Sequence, residues 1–194
     1  MNIRHTARTG IVAAVFVLLG ILDASAAELR DIEVKRDDGN YRLRSTAWFT
    51  TRPSELYEVL TNYDLFRYFT SAIVESRNVE PDLHGRPRYF TRMEGCVMLW
   101  CKSFIRAGHL ELDPVEEIVA IADPEESDFK RSYERWQLQP EEGGTLLIYE
   151  FEMIPDFWVP PVVGPFLIQR ALRSGGIRAL QRMEALAQAQ YEFE

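Results

Sequence analysis

Between residues 28 and 154 the chain alternates between apolar and polar positions. In the clearest run, Leu147, Tyr149, Phe151 and Met153 take one side and Ile148, Glu150 and Glu152 the other. That period of two marks a strand with one dry and one wet face. The same reading places strands over residues 28–35, 41–50, 73–80, 87–94, 99–112, 117–123, 129–139 and 145–154. Turn residues punctuate them: Asp37-Asp38-Gly39-Asn40, Pro81 to Arg86, Asp113-Pro114, Asp123-Pro124 and Glu142-Gly143-Gly144. On the second strand Tyr41, Leu43, Ala47 and Phe49 form the apolar side, and Ser45 among them needs an interior partner or a cavity. One interruption is helical. Thr51-Arg52-Pro53-Ser54-Glu55 opens a helix with Leu56, Val59 and Leu60 inward, and a second short piece follows around Asp64 to Phe69.

The last fifth changes period. Phe157, Trp158, Val159, Val162, Val163 and Phe166 form an apolar loop broken by Pro160, Pro161, Gly164 and Pro165. From Pro165 to Ala189 a single long helix is expected, with Ile168, Leu172, Gly176, Leu180, Met183 and Ala187 on one face. Arg170, Arg173, Arg178 and Arg182 lie mostly off that face. Successive hairpins place neighbouring strands side by side, and a twisted sheet of about six or seven strands curls. The C-terminal helix is the one large element left to fill its concave side. The expected fold is therefore α+β: a curved antiparallel sheet wrapped around a long C-terminal helix, with two short helices after the first strands. No repeat, linker or low-complexity tract divides residues 28–194, so they form a single domain.

This element order resembles the helix-grip fold of the START-like, or SRPBCC, superfamily. The stretch TAWFTTRPSELYEVLTNYDLFRYFTSAIVESRNVE is similar to the opening of its coenzyme Q-binding and polyketide-cyclase-like branch. Ser132 to Leu138 with GGTLLIYEFEMIP resembles the paired final strands of that branch, and VPPVVGPFLIQRAL its loop and last helix. The likeness covers roughly residues 29–187 and rests on pattern and order, with no diagnostic catalytic motif. Where the family often has a proline after the aromatic near Tyr68, Phe69-Thr70 stands here. The resemblance implies a hydrophobic small-molecule ligand, such as a lipid or an isoprenoid quinone. Its aromatase/cyclase members imply the alternative of an enzyme positioning a polyketide with Ser45, Arg92, Arg106 and Tyr149. A third class is an envelope-associated interaction module with a filled cavity.

Composition adjusts this picture in three places. Arg4, His5 and Arg8, the apolar run Ile11 to Leu22, and Ala24-Ser25-Ala26-Ala27 make a secretory signal pattern over residues 1–27, with cleavage after Ala26 or Ala27. The run is shorter than the roughly 20 residues of a spanning helix, so a periplasmic or secreted protein is expected. The formal charge of −8, which loss of Arg4, Arg8 and Asp23 moves to −9, argues against a general nucleic-acid binder. Export also gives the only two cysteines, Cys96 and Cys101, an oxidising compartment in which a hairpin disulfide is expected.

Candidate chemistry is sparse. No HExxH, GxSxG, phosphate loop or metal-ligand cluster appears, and neither a cofactor nor a catalytic residue is assigned. His84 lies in a turn, His109 on a polar-leaning strand face, and Asp64 suits a helix cap better than an interior; Glu75 is a second carboxylate within reach of one. Arg106 shares its parity with Phe104, Leu110 and Leu112. It either enters the interior, where it needs a carboxylate or a ligand oxygen, or stands on the surface after a bulge near Gly108. The expected ligand-cavity wall is Leu43, Ser45, Phe49, Tyr89, Met93, Arg106, Tyr149, Phe151 and Met153 from the sheet, and Leu172, Gly176, Leu180 and Met183 from the helix. Plain core is the competing role for each. The apolar loop, with Arg170 and Arg173 beside it, suits either a lid over that cavity or a gate with peripheral membrane contact.

Overall fold

The computed structural model describes residues 27–97, 100–159, 166, 168–170, 172 and 175–191. The expected signal segment up to Ala26, and Val162, Val163 and Arg173 of the loop and helix, lie outside the described residues. The chain runs β1 (Glu28–Asp37), β2 (Asn40–Phe49), α1 (Pro53–Thr61), a 3-10 turn (Tyr63–Leu65), α2 (Phe66–Phe69), β3 (Ile73–Val79), β4 (Arg88–Val97), β5 (Trp100–Asp113), β6 (Glu117–Ala122), β7 (Phe129–Glu141), β8 (Gly144–Pro155) and α3 (Gly176–Tyr191). The strands form one antiparallel sheet in the order β1-β2-β8-β7-β6-β5-β4-β3. All eight strands join this one sheet, more than the six or seven expected in it: β1 forms its edge, and β8 returns beside β2.

The register explains why the apolar alternation is shared. Tyr41, Leu43, Ser45 and Ala47 stand opposite Met153, Phe151, Tyr149 and Leu147. On the far half, Tyr89 faces Gly108 and Thr91 faces Arg106. Side chains of one parity line the concave face across the sheet. Gly108 permits a close approach there, since a Cβ on it would lie 1.9 Å from the Ile121 carbonyl oxygen. With Ala120 and Ala122 beside it, the centre of the concave face is low. Aromatic rings from the helical segment fill that space: Tyr63 stacks on Tyr89 at 4.5 Å and on Phe66 at 4.0 Å.

Helix α1 starts as its sequence dictates. Pro53 occupies its first turn, and the Glu55 carboxylate reaches back to the Arg52 N–H at 2.9 Å. Its Leu56, Val59 and Leu60 are buried with Phe49, Trp136, Leu138 and, from α3, Leu180 and Ala187. The buried Glu184 of α3 accepts the Thr50 N–H on both oxygens at 3.2 Å and also accepts the Thr50 hydroxyl. Arg182 donates to the Tyr68 and Phe69 carbonyls at the end of α2, at 3.4 Å each. These bonds tie α3 to the other helices and to the end of β2.

The C-terminal helix differs from the single rod expected. Phe166, Ile168 to Arg170 and Leu172 are helical, Gly175 is in a turn, and α3 starts at Gly176. The glycine pair is thus the start of a helix and not its interior. Gly175 offers its carbonyl to the Ala179 N–H at 3.1 Å. Glycine is tolerated at such a cap, whereas two in a helix interior cost up to about 2 kcal/mol against alanine.

Candidate functional site

The concave face carries one buried polar network. Arg106 projects inward from β5 at 4% exposure, which removes the alternative of a surface arginine after a bulge. Its Nε donates to Ser132 Oγ at 2.7 Å, one terminal nitrogen donates to Glu134 at 2.7 Å, and the other makes a long 3.5 Å contact with the Ala120 carbonyl. The remaining Glu134 oxygen accepts the Tyr149 hydroxyl at 2.9 Å. Thr91 secures the strand behind, donating to the Arg106 carbonyl at 3.0 Å. The guanidinium carbon sits 5.1 Å from the centre of the Tyr89 ring and 5.9 Å from that of Phe151, within the range of cation–π attraction.

Two groups in this network are left over. The hydroxyls of Tyr63 and Tyr89 are buried with no acceptor for their protons among the described residues, and the Tyr63 oxygen faces an Arg106 N–H. Burial pushes the Tyr89 phenol up to about 12, with Arg106 pulling it down and Glu134 adding to the rise. Tyr63 and Tyr149 are pushed well above the ordinary phenol, first by burial and then by the Glu134 charge. Burial opposes the charge on Arg106, but Glu134 and the surrounding phenols outweigh it and hold the guanidinium above its ordinary value. All three tyrosines are therefore neutral donors near pH 7 and poor bases.

The network stands where two apolar clusters meet. One is the main core under the helices, which includes Phe49, Tyr63, Phe66, Tyr89, Trp136 and Leu180. The other gathers Tyr41, Phe129 and Met153 with the half-buried Met93, Phe104, Phe151, Phe157, Ile168 and Leu172. Arg106 touches a ring of each. Phe157 closes the second cluster, stacked on Phe104 at 4.3 Å and edge-on to Phe129 at 5.9 Å. Beside it is an open pocket of about 330 Å³ lined by Tyr41, Ile154, Phe157 and Val159 with Arg36 and Lys130. A larger hollow of about 690 Å³ lies elsewhere, between the start of α1 and the β5–β6 turn.

The expected cavity wall is thus divided. Met93, Phe151, Met153 and Leu172 fall in the second cluster, and Phe49, Tyr89, Leu180 and Met183 in or against the main core. Leu43 is buried, Ser45 is half-buried opposite Tyr149, and Gly176 lies near Ile32 at the β1 edge. The loop divides too. Phe157 points inward, Val159 is half-buried, and Trp158 at 77% and Phe166 at 65% stand in solvent with Arg170 exposed nearby in sequence. Arg92 is corrected outright: it lies on the outer face, paired with Glu75 at 3.2 Å and Glu94 at 3.4 Å, because its parity is opposite to that of Tyr89, Thr91 and Met93. That pairing also holds Glu75 away from the interior. Asp64 does not cap its turn; Asn62 does, accepting the Asp64 N–H at 3.2 Å. His84 is exposed in its turn, and His109 lies 3.0 Å from an Arg86 nitrogen outside the site.

No protein-family model matches the chain, and no curated protein matches it. Solved structures do match. A START superfamily protein from Mycobacterium smegmatis superposes with a TM-score of 0.57 at 13% identity, over 77% of this chain and 98% of that one. The fold is START-like. A STAR-related lipid transfer protein fragment from Xanthomonas axonopodis gives 0.57 at 12% identity, over 80% and 98%. The Zhui aromatase/cyclase from a Streptomyces species gives 0.60 at 11%, over 78% and 95%. At these identities the likeness carries the helix-grip architecture and nothing about residue roles.

Within this START-like grip, sequence reasoning missed four members of the network: Tyr63, Ser132, Glu134 and the polar end of Tyr89. The signal for Glu134 was present, since it shares parity with Trp136 and Leu138 on a strand whose dry face is otherwise apolar. A charged residue on a dry face calls for a buried counter-ion, and Arg92 and Arg106 were the two arginine candidates for the interior. Tyr63 carried no such signal, because its place over the sheet depends on how the 3-10 turn crosses the concave face. Among the described residues no group of His, Cys, Asp and Glu could hold a metal.

Proposed function

We propose that the chain is an exported, non-catalytic protein that binds a hydrophobic molecule, a lipid or an isoprenoid quinone, between the sheet and its C-terminal segment. The observation that carries this reading is the placement of one polar network at the inner end of a methionine- and phenylalanine-lined cluster whose outer end is Phe157 and the apolar loop. An amphiphile fits that order, with its tail among Met93, Phe104, Phe151 and Met153 and its polar end at Arg106. Sites for such ligands are mostly apolar with a few placed polar groups. The exposed Trp158 and Phe166 beside Arg170 support a loop that touches a bilayer during exchange, aromatics entering the interface and the arginine meeting phosphate. The lipid-transfer and START-superfamily likenesses fit a binding role.

Three further parts of the proposal concern export. The residue 1–27 pattern supports secretion, with cleavage after Ala26, because Ala27 is buried in the main core. Cys96 and Cys101 stand directly opposite each other across the β4–β5 hairpin, where strand geometry brings Cα atoms to about 4.5–5.5 Å, inside disulfide range. No described cysteine is free. Both observations support a bridge formed in an oxidising compartment, the periplasm or outside the cell.

The aromatase/cyclase reading has one observation in its favour, an inward arginine and tyrosine in the grip. The raised phenols weigh against it, since a neutral tyrosine locked to Glu134 is a poor proton acceptor near pH 7. The test of the binding reading is extraction and mass analysis of molecules co-purified with the protein from native periplasm. A defined lipid or quinone is expected. A protein that is reproducibly empty and takes up neither class would overturn the reading.

A further inference from the structure

The polar network also states what kind of head group it can take. Three of the five Arg106 N–H groups are engaged among the described residues. The Tyr89 hydroxyl has no partner among the described residues, and the Tyr63 hydroxyl, whose oxygen faces an Arg106 N–H, has no acceptor for its own proton. The cluster therefore keeps two phenol protons that no described acceptor takes up. Each oxygen of its one carboxylate is engaged: one Glu134 oxygen holds Arg106 and the other holds Tyr149, while Ser132 Oγ takes Nε. The charge is committed as well. Glu134 balances Arg106 at 2.7 Å with side-chain exposures of 12% and 5%. A second carboxylate brought here would sit unbalanced beside Glu134 in a water-poor site, and like charges so placed repel strongly.

We infer that the site selects a neutral oxygen acceptor, a ketone, ester, amide or quinone carbonyl, and rejects an anionic head such as a free fatty carboxylate. The carbonyl oxygen accepts from Tyr63, Tyr89 and the spare Arg106 N–H groups, which satisfies the donors the fold leaves unpaired. This rests on the binding reading above and narrows its ligand class. A glycerolipid ester and a quinone ring both qualify. A free fatty acid does not.

The test is equilibrium dialysis of the mature protein at pH 8 against 2-undecanone, methyl decanoate and decanoate, each quantified by mass spectrometry. The ketone and the ester are expected to bind at least about tenfold more tightly than the carboxylate, the equivalent of one lost hydrogen bond. Tyr63→Phe/Tyr89→Phe is expected to weaken the ketone and ester by about tenfold. That variant removes hydroxyls whose protons have no acceptor in the fold, so it is expected to fold, and near-ultraviolet circular dichroism checks this. The comparison among the three probes needs no variant. If decanoate binds as well as the ketone, or if the folded double variant keeps full affinity, the head-group assignment is wrong and the binding reading survives. If none of the three binds, the binding reading itself fails.

Discussion

Removing Arg106 while keeping Glu134 should be among the most damaging single changes in the interior. In Arg106→Met the Glu134 carboxylate stays buried with the Tyr149 hydroxyl as its one remaining donor in the network. At the observed 2.7 Å, the pair's attraction at an effective dielectric of 20 is about 6 kcal/mol. Desolvation of both charges offsets much of that, and breaking such a pair typically costs about 3–5 kcal/mol. Against a total stability of roughly 5–15 kcal/mol, the variant should unfold at a much lower urea midpoint with an unchanged slope. Glu134→Leu should do comparable harm by leaving the guanidinium unbalanced. The double change Arg106→Met/Glu134→Leu should recover most of the loss, because no charge is then buried. Its residual cost, about 1–2 kcal/mol, comes from the Tyr149 hydroxyl and Ser132 losing their partners. The double-mutant cycle should therefore give a coupling of roughly 4–9 kcal/mol. Strictly additive losses, or an Arg106→Met cost below about 1 kcal/mol, would show that the two charges are not a desolvated unit.

Four other outcomes follow from the geometry. Unfolded phenols titrate near 10 while Tyr89 titrates near 12 in the fold, so between those values the folded chain holds protons that the unfolded chain has lost; the contribution, about 3 kcal/mol, is complete below pH 10 and lost by pH 12. Tyr63 and Tyr149 act in the same direction, and urea midpoints from pH 8 to 11 that stay flat would contradict the burial of all three. Gly108→Ala should destabilise by about 3 kcal/mol or more, because the new Cβ meets strand backbone and not a movable side chain; thermal unfolding checks it, and a neutral result would show that β5 and β6 can spread. Val115 holds a φ of 70° in the β5–β6 turn, a strained conformation for a β-branched residue, so Val115→Gly should raise stability by about 0.5–1 kcal/mol after glycine's own entropy cost. N-terminal sequencing of the exported protein should find Ala27 first; a start beyond it would remove a residue buried in the main core.

The architecture was legible because it rests on short-range pattern. Alternation located every strand, Pro53 and Glu55 announced α1, and the order of hairpins led to a curved sheet. What failed were features set by distant contacts. The glycine pair looked like the middle of a rod because the apolar spacing continues through it from Ile168 to Met183, yet the chain turns at Gly175 and only then begins α3. The loop looked uniform in composition, but Phe157 lies within reach of Phe104 and Phe129 while Trp158 does not turn inward. The site was half legible for a similar reason. Parity placed Tyr149 on the dry face and left Arg106 open between the interior and the surface, and the partners could be found only once the register set Glu134 beside the β5 arginine.

That network is poorly explained as a device for stability. A buried ion pair is often matched or bettered by apolar residues of the same volume, and low, well-packed strands such as β5 and β6 around Gly108 and Ala120 could have accommodated them. A purely structural polar network would also be expected to satisfy its own members. Here Glu134, Ser132 and Tyr149 are engaged, and the protons of the two phenols nearest Arg106 have no acceptor. Among the described residues, two of the three buried hydroxyls without an acceptor, those of Tyr63 and Tyr89, lie beside one guanidinium at the inner end of the softer of two apolar clusters, and the third, Thr51, lies just before α1. Folding energetics alone gives no reason for that coincidence, whereas a ligand carbonyl does. If Arg106→Met/Glu134→Leu folds nearly as well as the natural chain yet no longer binds a ketone or ester, the network is kept for the ligand and not for the fold.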